Sequence, residues 1–188
     1  MYKICHTEAS SRRQRELEAG LLAAMGHSPY DKITLTELCA QLNIPRKSFY
    51  RYFPTKEDCL LGLIDHTLAD CNDIALKGWN GTGNLDEAVQ LRFFHFWKEH
   101  SLFLDAIRDN GLRHLLLDRT TAIVDRMKEN TGSGFFARDQ VEYFVAHGLM
   151  TTVLRWHHYG FPSSPEEMAE VFGGLLGKTE LPIDRLLL

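Results

Sequence analysis

Five side chains able to donate hydrogen bonds crowd one short segment: Arg46, Lys47, Ser48, Tyr50 and Arg51. Their chemistry suits a polyanion with readable edges. Arg and Lys donors match the acceptor atoms of guanine in the DNA major groove, and hydroxyls match phosphate oxygens. Arg46 and Tyr50, like Lys47 and Arg51, stand four positions apart and share one face of a helix. Phe49 and Phe53 have the same spacing and give that helix an apolar underside.

These residues need a scaffold, and Ile33–Lys56 (ITLTELCAQLNIPRKSFYRYFPTK) reads as two short helices with a tight turn between them. Thr34 followed by Glu37 is a capping box, and Ile33 with Leu38 can form the accompanying hydrophobic staple. Leu38 and Leu42 face inward, and Ala40 is small enough to let another helix cross closely. Asn43 sits where the chain must turn, and Asn tolerates left-handed backbone. Pro45 has no N–H to donate, which suits a first helical position, so the next helix is expected from Pro45 to about Phe53. This is the layout of a helix-turn-helix whose second helix enters the major groove.

Around it the chain reads as helical throughout. Residues 8–26 carry Leu17, Leu21, Leu22 and Met25 at helical spacing, with Arg12, Arg13 and Arg15 near the start. After Pro54, Thr55 and Asp58 cap a fourth helix of about 20 residues, with an apolar stripe of Leu60, Leu63, Ile64, Thr67, Leu68, Cys71, Ile74 and Ala75. Loops are expected at 78–84 and 130–134. Helices are expected at about 85–99, 101–109, 112–129, 137–159 and 165–177, the last capped by Ser164. The fold class is all-α with about nine helices. A helix-turn-helix domain (1–54) is followed by a helical effector-binding and dimerisation domain (55–188), and the long fourth helix joins them. The tail TELPIDRLLL is expected to be loosely attached.

One helix-turn-helix reads few base pairs, so a homodimer on a pseudo-palindromic operator of double-stranded DNA is expected. The last two long helices are the dimer candidates, through Phe144, Gly148, Leu149, Val153, Phe172, Gly173 and Leu176. Val141, Phe144, Val145, Gly148, Leu149, Thr152, Val153 and Trp156 are placed on one face of the penultimate helix. Phe93, Phe96, Trp97, His100, Phe103, Phe144, His147 and Trp156 are aromatic or polar candidates for the wall of a pocket taking a small apolar or aromatic effector. The same residues would serve equally well as ordinary core.

Charge is unevenly placed. Residues 1–56 hold nine Lys/Arg against five Asp/Glu, and the remainder twelve against twenty, so only the N-terminal end suits a polyanion. No stretch approaches the roughly 20 apolar residues of a membrane span, and the start lacks a secretory h-region, so a cytoplasmic protein without membrane attachment is expected. No phosphate loop, GxSxG or HExxH motif is present, and none of the four cysteines forms a CxxC pair. No enzyme activity, cofactor or metal is expected. Cys39, Cys59 and Cys71 read as small buried side chains. The rival reading is a helical protein–protein interaction module without sequence-specific DNA binding.

Residues 33–60 (ITLTELCAQLNIPRKSFYRYFPTKEDCL) resemble the DNA-binding motif of the TetR/AcrR family of bacterial repressors. Thr34, Ala40, Ser48, Tyr50, Phe53, Lys56 and Glu57 occupy that motif's places. Asn43 stands where a turn glycine is usual, and Arg46-Lys47 replace commoner small residues. RFFHFWKEH (92–100) and WHHYGFPSSPEEMAEVF (156–172) look like a common C-terminal subtype. The resemblance implies a ligand-responsive repressor. It implies phosphate contacts from Thr34, Thr36, Ser48, Tyr50 and Lys56, and base-edge contacts from Arg46, Lys47, Arg51 and Tyr52.

Overall fold

Thr34 and Glu37 form the expected capping box in full. The Glu37 amide donates to Thr34 Oγ1 at 3.2 Å, and the Thr34 amide donates to Glu37 Oε2 at 3.0 Å. The computed structural model describes residues 2, 5, 7–75, 77, 87–131 and 136–176, with side chains for all but 126–139, 141, 142, 175 and 176. The expected loop at 78–84, most of that at 130–134, the tail, and the side chains of Val141 and Leu176 lie outside the described residues.

Among the described residues there are nine α-helices and no strand. They are α1 (Glu8–Met25), α2 (Leu35–Gln41), α3 (Arg46–Tyr50), α4 (Lys56–Ala75), α5 (Glu87–Glu99), α6 (Ser101–Asp109), α7 (Arg113–Thr131), α8 (Phe136–His158) and α9 (Pro165–Leu176), with a 3-10 turn at Tyr30–Lys32. None of the described helices is long and apolar enough to cross a membrane. Packing divides the chain into two compact units. One is Met1–Thr67 with Asp105–Leu115, and the other is Leu68–Leu104 with Leu116–Leu188. The division falls inside α4, after Thr67, whereas the sequence placed a boundary at 54.

The first unit closes around Leu17, Leu21, Leu38, Phe49, Phe53, Leu60 and Ile64, all nearly inaccessible. Two glycines permit the close approaches. A Cβ on Gly20 would lie 2.5 Å from Leu42 Cδ2, and one on Gly62 would lie 2.8 Å from Phe53 Cε1. Ala40, expected at such a crossing, is exposed instead, because α2 buries its Leu38 and Cys39 side. Asn43 has φ 50°, the left-handed turn its residue type allows. Pro45 keeps extended ψ (141°) and serves as the N-cap, so α3 begins one residue later than expected and is shorter.

In the second unit α5 buries one broad face, through Val89, Phe93, Phe94, Phe96 and Trp97, and leaves Glu87, Ala88, His95, Lys98 and Glu99 exposed on the other. Phe94 packs on Trp156 of α8 and Phe172 of α9, with ring centroids 5.7 and 5.5 Å apart. Trp156 in turn donates Nε1–H to the Ser163 carbonyl at 3.1 Å and meets Phe161 edge-on, which fixes the α8–α9 turn. Ser164 and Glu167 form a second capping box at the start of α9.

Two helix faces differ from expectation. Ile74 is 46% exposed, outside the buried stripe of α4, because Cys71 and Ala75 carry that turn inward. On α8 the buried positions are Val145, Ala146, Leu149, Met150, Val153, Leu154, Trp156 and His157, while Phe144 is 78% exposed and Gly148 is exposed with it. The residues expected on one face of α8 therefore divide between a buried side and an exposed one, because its apolar residues are spread round the helix.

Candidate nucleic-acid interface

The short α3 is held from below. Phe49 and Phe53 are fully buried, their rings 5.7 Å apart, so the other side of the helix must face outward. Arg46, Lys47, Tyr50 and Arg51 are exposed, and Ser48 and Tyr52 are half-buried. Arg46 Nη2 donates to the Tyr50 hydroxyl at 3.0 Å. Thr36 is exposed on the first turn of α2. The Thr34 hydroxyl is engaged in the capping box, donating to Glu37 Oε2 at 2.7 Å. The Thr34 hydroxyl, and then its backbone N–H, hold the Glu37 carboxyl below its ordinary value. The sequence-nominated residues from Thr34 to Tyr52 therefore share one helix-turn-helix, four of them exposed on α3 and its C-cap.

Lys56 is placed differently. It is half-buried at the start of α4. Its ammonium donates to the carbonyls of Tyr30 and Ile33, both at 2.7 Å, and stands 4.2 Å from the centre of the Tyr30 ring. The Tyr30 amide donates to Asn110 Oδ1 at 2.5 Å. Sequence reasoning missed Tyr30 and Asn110, since no local pattern links residues 80 positions apart.

The residues nominated for an effector wall sit in the second unit, mostly packed on each other. Phe93, Phe96, Trp97, Phe103 and Trp156 are buried. His100 stacks on Phe96 at 3.8 Å and its Nδ1 meets the Phe96 carbonyl. His147 is half-buried with Nε2 2.9 Å from Thr121 Oγ1. Phe144, exposed, stands outside this cluster. A cavity of about 190 Å³ lies in the first unit, lined by Tyr2, Cys5, Ser11, Gln14, Arg15 and His66, none of them nominated.

The dimer candidates separate as well. Leu149 and Val153 are buried within the second unit, Phe172 lies on Phe94, and Gly173 faces the Gln90 amide. Phe144 and Gly148 point outward, as do Val171 (66% exposed) and Gly174. Burial pushes the thiols of Cys39, Cys59 and Cys71 up, which favours their protonated form.

The family model described as "Bacterial regulatory proteins, tetR family" matches residues 19–63, which contain α2, α3 and the exposed cations. Three solved structures share the fold over most of the chain. The fatty acid degradation regulator FadR from Bacillus halodurans is 13% identical, covering 89% of this chain and 96% of its own, with a TM-score of 0.60. The dihydroxyacetone kinase operon activator DhaS is 17% identical, covering 87% and 93%, with a TM-score of 0.58. A tetR-family transcriptional regulator from Streptomyces coelicolor is 19% identical, covering 88% and 80%, with a TM-score of 0.52. No curated protein matches the chain. Residues 19–63 thus match the DNA-binding model of the tetR family of bacterial regulatory proteins, within an all-helical fold shared with these regulators.

Proposed function

We propose that the chain is a cytoplasmic, ligand-responsive repressor that binds a pseudo-palindromic operator as a homodimer. The observation that carries the DNA side is α3, with Arg46, Lys47, Tyr50 and Arg51 outward over a fully buried Phe49–Phe53 underside. In this reading Arg46 and Lys47, with Arg51 and Tyr52, reach base edges. Thr36, Ser48 and Tyr50 meet phosphates, and Thr34 holds α2 in register. The outward apolar residues Phe144 and Val171, beside the exposed Gly148 and Gly174, favour α8 and α9 as the homodimer seam. The aromatic cluster of α5 and α6 favours an apolar or aromatic effector. Repression is the mode that the sequence resemblance implies, although the operon activator DhaS is so named on a similar fold.

The test is fluorescence anisotropy of a duplex taken from upstream of the chain's own reading frame, titrated over a salt series. Binding is expected to weaken by about 0.9 in log affinity per log unit of salt for each phosphate neutralised. A reporter promoter carrying that duplex should fall in output when the protein is present. Failure to bind any duplex at low salt would favour the helical interaction module instead.

A further inference from the structure

The entry to the helix-turn-helix is one 3-10 turn, Tyr30–Lys32, followed by Ile33 and Thr34. A segment this short makes few bonds of its own, so outside groups must fix it. Lys56 gathers both ends of it, with the Tyr30 and Ile33 carbonyls each 2.7 Å from its ammonium. The Tyr30 ring lies under the same ammonium at 4.2 Å, a cation–π contact that adds to the hold. The Tyr30 amide is held by Asn110, whose own Nδ2 donates to the Ala106 carbonyl at 2.8 Å. That second bond decides which way the Asn110 amide points, leaving Oδ1 for Tyr30. All these residues belong to the first compact unit, but Asn110 lies 47 positions beyond the end of the matched DNA-binding domain at residue 63.

An ammonium has three N–H groups. Two are spent on carbonyls here and the cation faces a ring, which is the setting of a structural lysine. The TetR resemblance would place this lysine on a phosphate.

We propose that Lys56 and Asn110 are positioning residues for DNA binding, fixing the Tyr30–Thr34 entry so that α2 and α3 present their side chains in one register, and that Lys56 does this in place of a phosphate contact. The proposal rests on the DNA-binding reading above. It makes operator affinity depend on an uncharged residue at the α6–α7 turn.

Two readouts on the full-length chain test it. The first is amide hydrogen exchange of the unbound protein, comparing Asn110→Ala and Lys56→Met with the parent. Exchange at Tyr30 and Ile33 is expected to speed up about tenfold, the loss of one held hydrogen bond, with the melting temperature nearly unchanged. Asn110→Asp keeps the acceptor and is expected to keep Tyr30 protected. Unchanged exchange in Asn110→Ala, or equal loss in the Ala and Asp variants, would overturn the role of Asn110.

The second readout is affinity for a duplex selected from a random pool by the parent chain. Both Asn110→Ala and Lys56→Met are expected to bind it about tenfold more weakly, with the slope of log affinity against log salt unchanged. A slope reduced by about 0.9 in Lys56→Met alone would make Lys56 a direct phosphate ligand and overturn its assignment. A parent chain that selects no duplex would strike the DNA-binding reading itself, while hydrogen exchange still decides whether Lys56 and Asn110 hold the entry.

Discussion

Arg46 Nη2 donates to the Tyr50 hydroxyl at 3.0 Å, one turn along α3, and the guanidinium lies 5.8 Å from the centre of the Tyr50 ring. Tyr50 in turn meets the buried Phe49 edge-on at 6.2 Å. An exposed arginine is thus tied through one aromatic to the core. Holding a long side chain before binding saves part of the roughly 0.5–1.5 kcal/mol that immobilising it would cost.

Tyr50→Phe keeps the ring and removes the acceptor, so it should leave folding intact and weaken operator binding about three- to tenfold. Arg46→Ala should cost about 1–3 kcal/mol and relax discrimination at one base pair. Anisotropy on a matched duplex and a single-base-pair variant checks both. If Tyr50→Phe weakens the two duplexes equally, Tyr50 acts on the backbone alone and does not aim Arg46.

The capping box offers a pH-dependent prediction. Thr34→Ala removes the hydroxyl that accepts from the Glu37 amide, and should cost about 0.5–2 kcal/mol at neutral pH. Bonds from Thr34 hold the folded Glu37 carboxyl below its ordinary value. Its contribution is therefore present above the unfolded carboxyl range and lost as pH falls through the folded value. The gap between parent and variant in urea melts should narrow on the acid side of that window. A gap of the same size well below it would mean that Glu37 ionisation has no part in the cap.

How much of this was legible in the sequence follows from the range of each interaction. Thr34, Asn43 and Ser164 were readable because caps and tight turns are decided within three or four residues. Phe49 and Phe53 were readable because a short helix with two aromatics four apart leaves little choice of face. Phe144 was not, since α8 carries apolar residues on every side and only its packing partners select a phase. The close crossing at Gly20 depends on Leu42, and the hold on Tyr30 depends on Asn110. Both are contacts between distant positions with no local signature. The candidate DNA face was therefore visible almost whole, while what braces it from outside was not.

Glu18 is a buried carboxyl on α1, 1% exposed, with Oε1 at 2.8 Å from His66 Nδ1 and Oε2 without a hydrogen-bond partner among the described residues. Removing His66 strands the whole group. His66→Leu should destabilise the protein by about 1–3 kcal/mol, the cost of an unsatisfied buried polar group. The double variant Glu18→Leu/His66→Leu should recover much of that loss, because a buried pair replaced by apolar groups is often neutral or better. Urea denaturation of the two variants and the parent decides it. A double variant no more stable than His66→Leu would show that the carboxylate has bonding the pair does not account for.

Phe144 stands 78% exposed on α8 with Gly148 on the same side of the helix, and Val171 is 66% exposed on α9. A large ring left in water gains by being covered, at about 25 cal/mol for each Å² of apolar surface removed. A second copy of the same seam is the proposed cover, since a two-fold dimer sets each patch against a copied one. A Cβ on Gly148 would meet no atom of the described residues within 4 Å outside its own helix backbone, so this position has room for a partner helix. Phe144→Glu should then convert a dimer to a monomer in sedimentation velocity at micromolar concentration. The melting temperature of the isolated protomer should change little, because the ring contributes little to its own core. Operator affinity should fall with it, since each half-site would be bound alone. A parent chain that sediments as a monomer, or a Phe144→Glu variant that stays dimeric, would remove α8 and Phe144 from the seam.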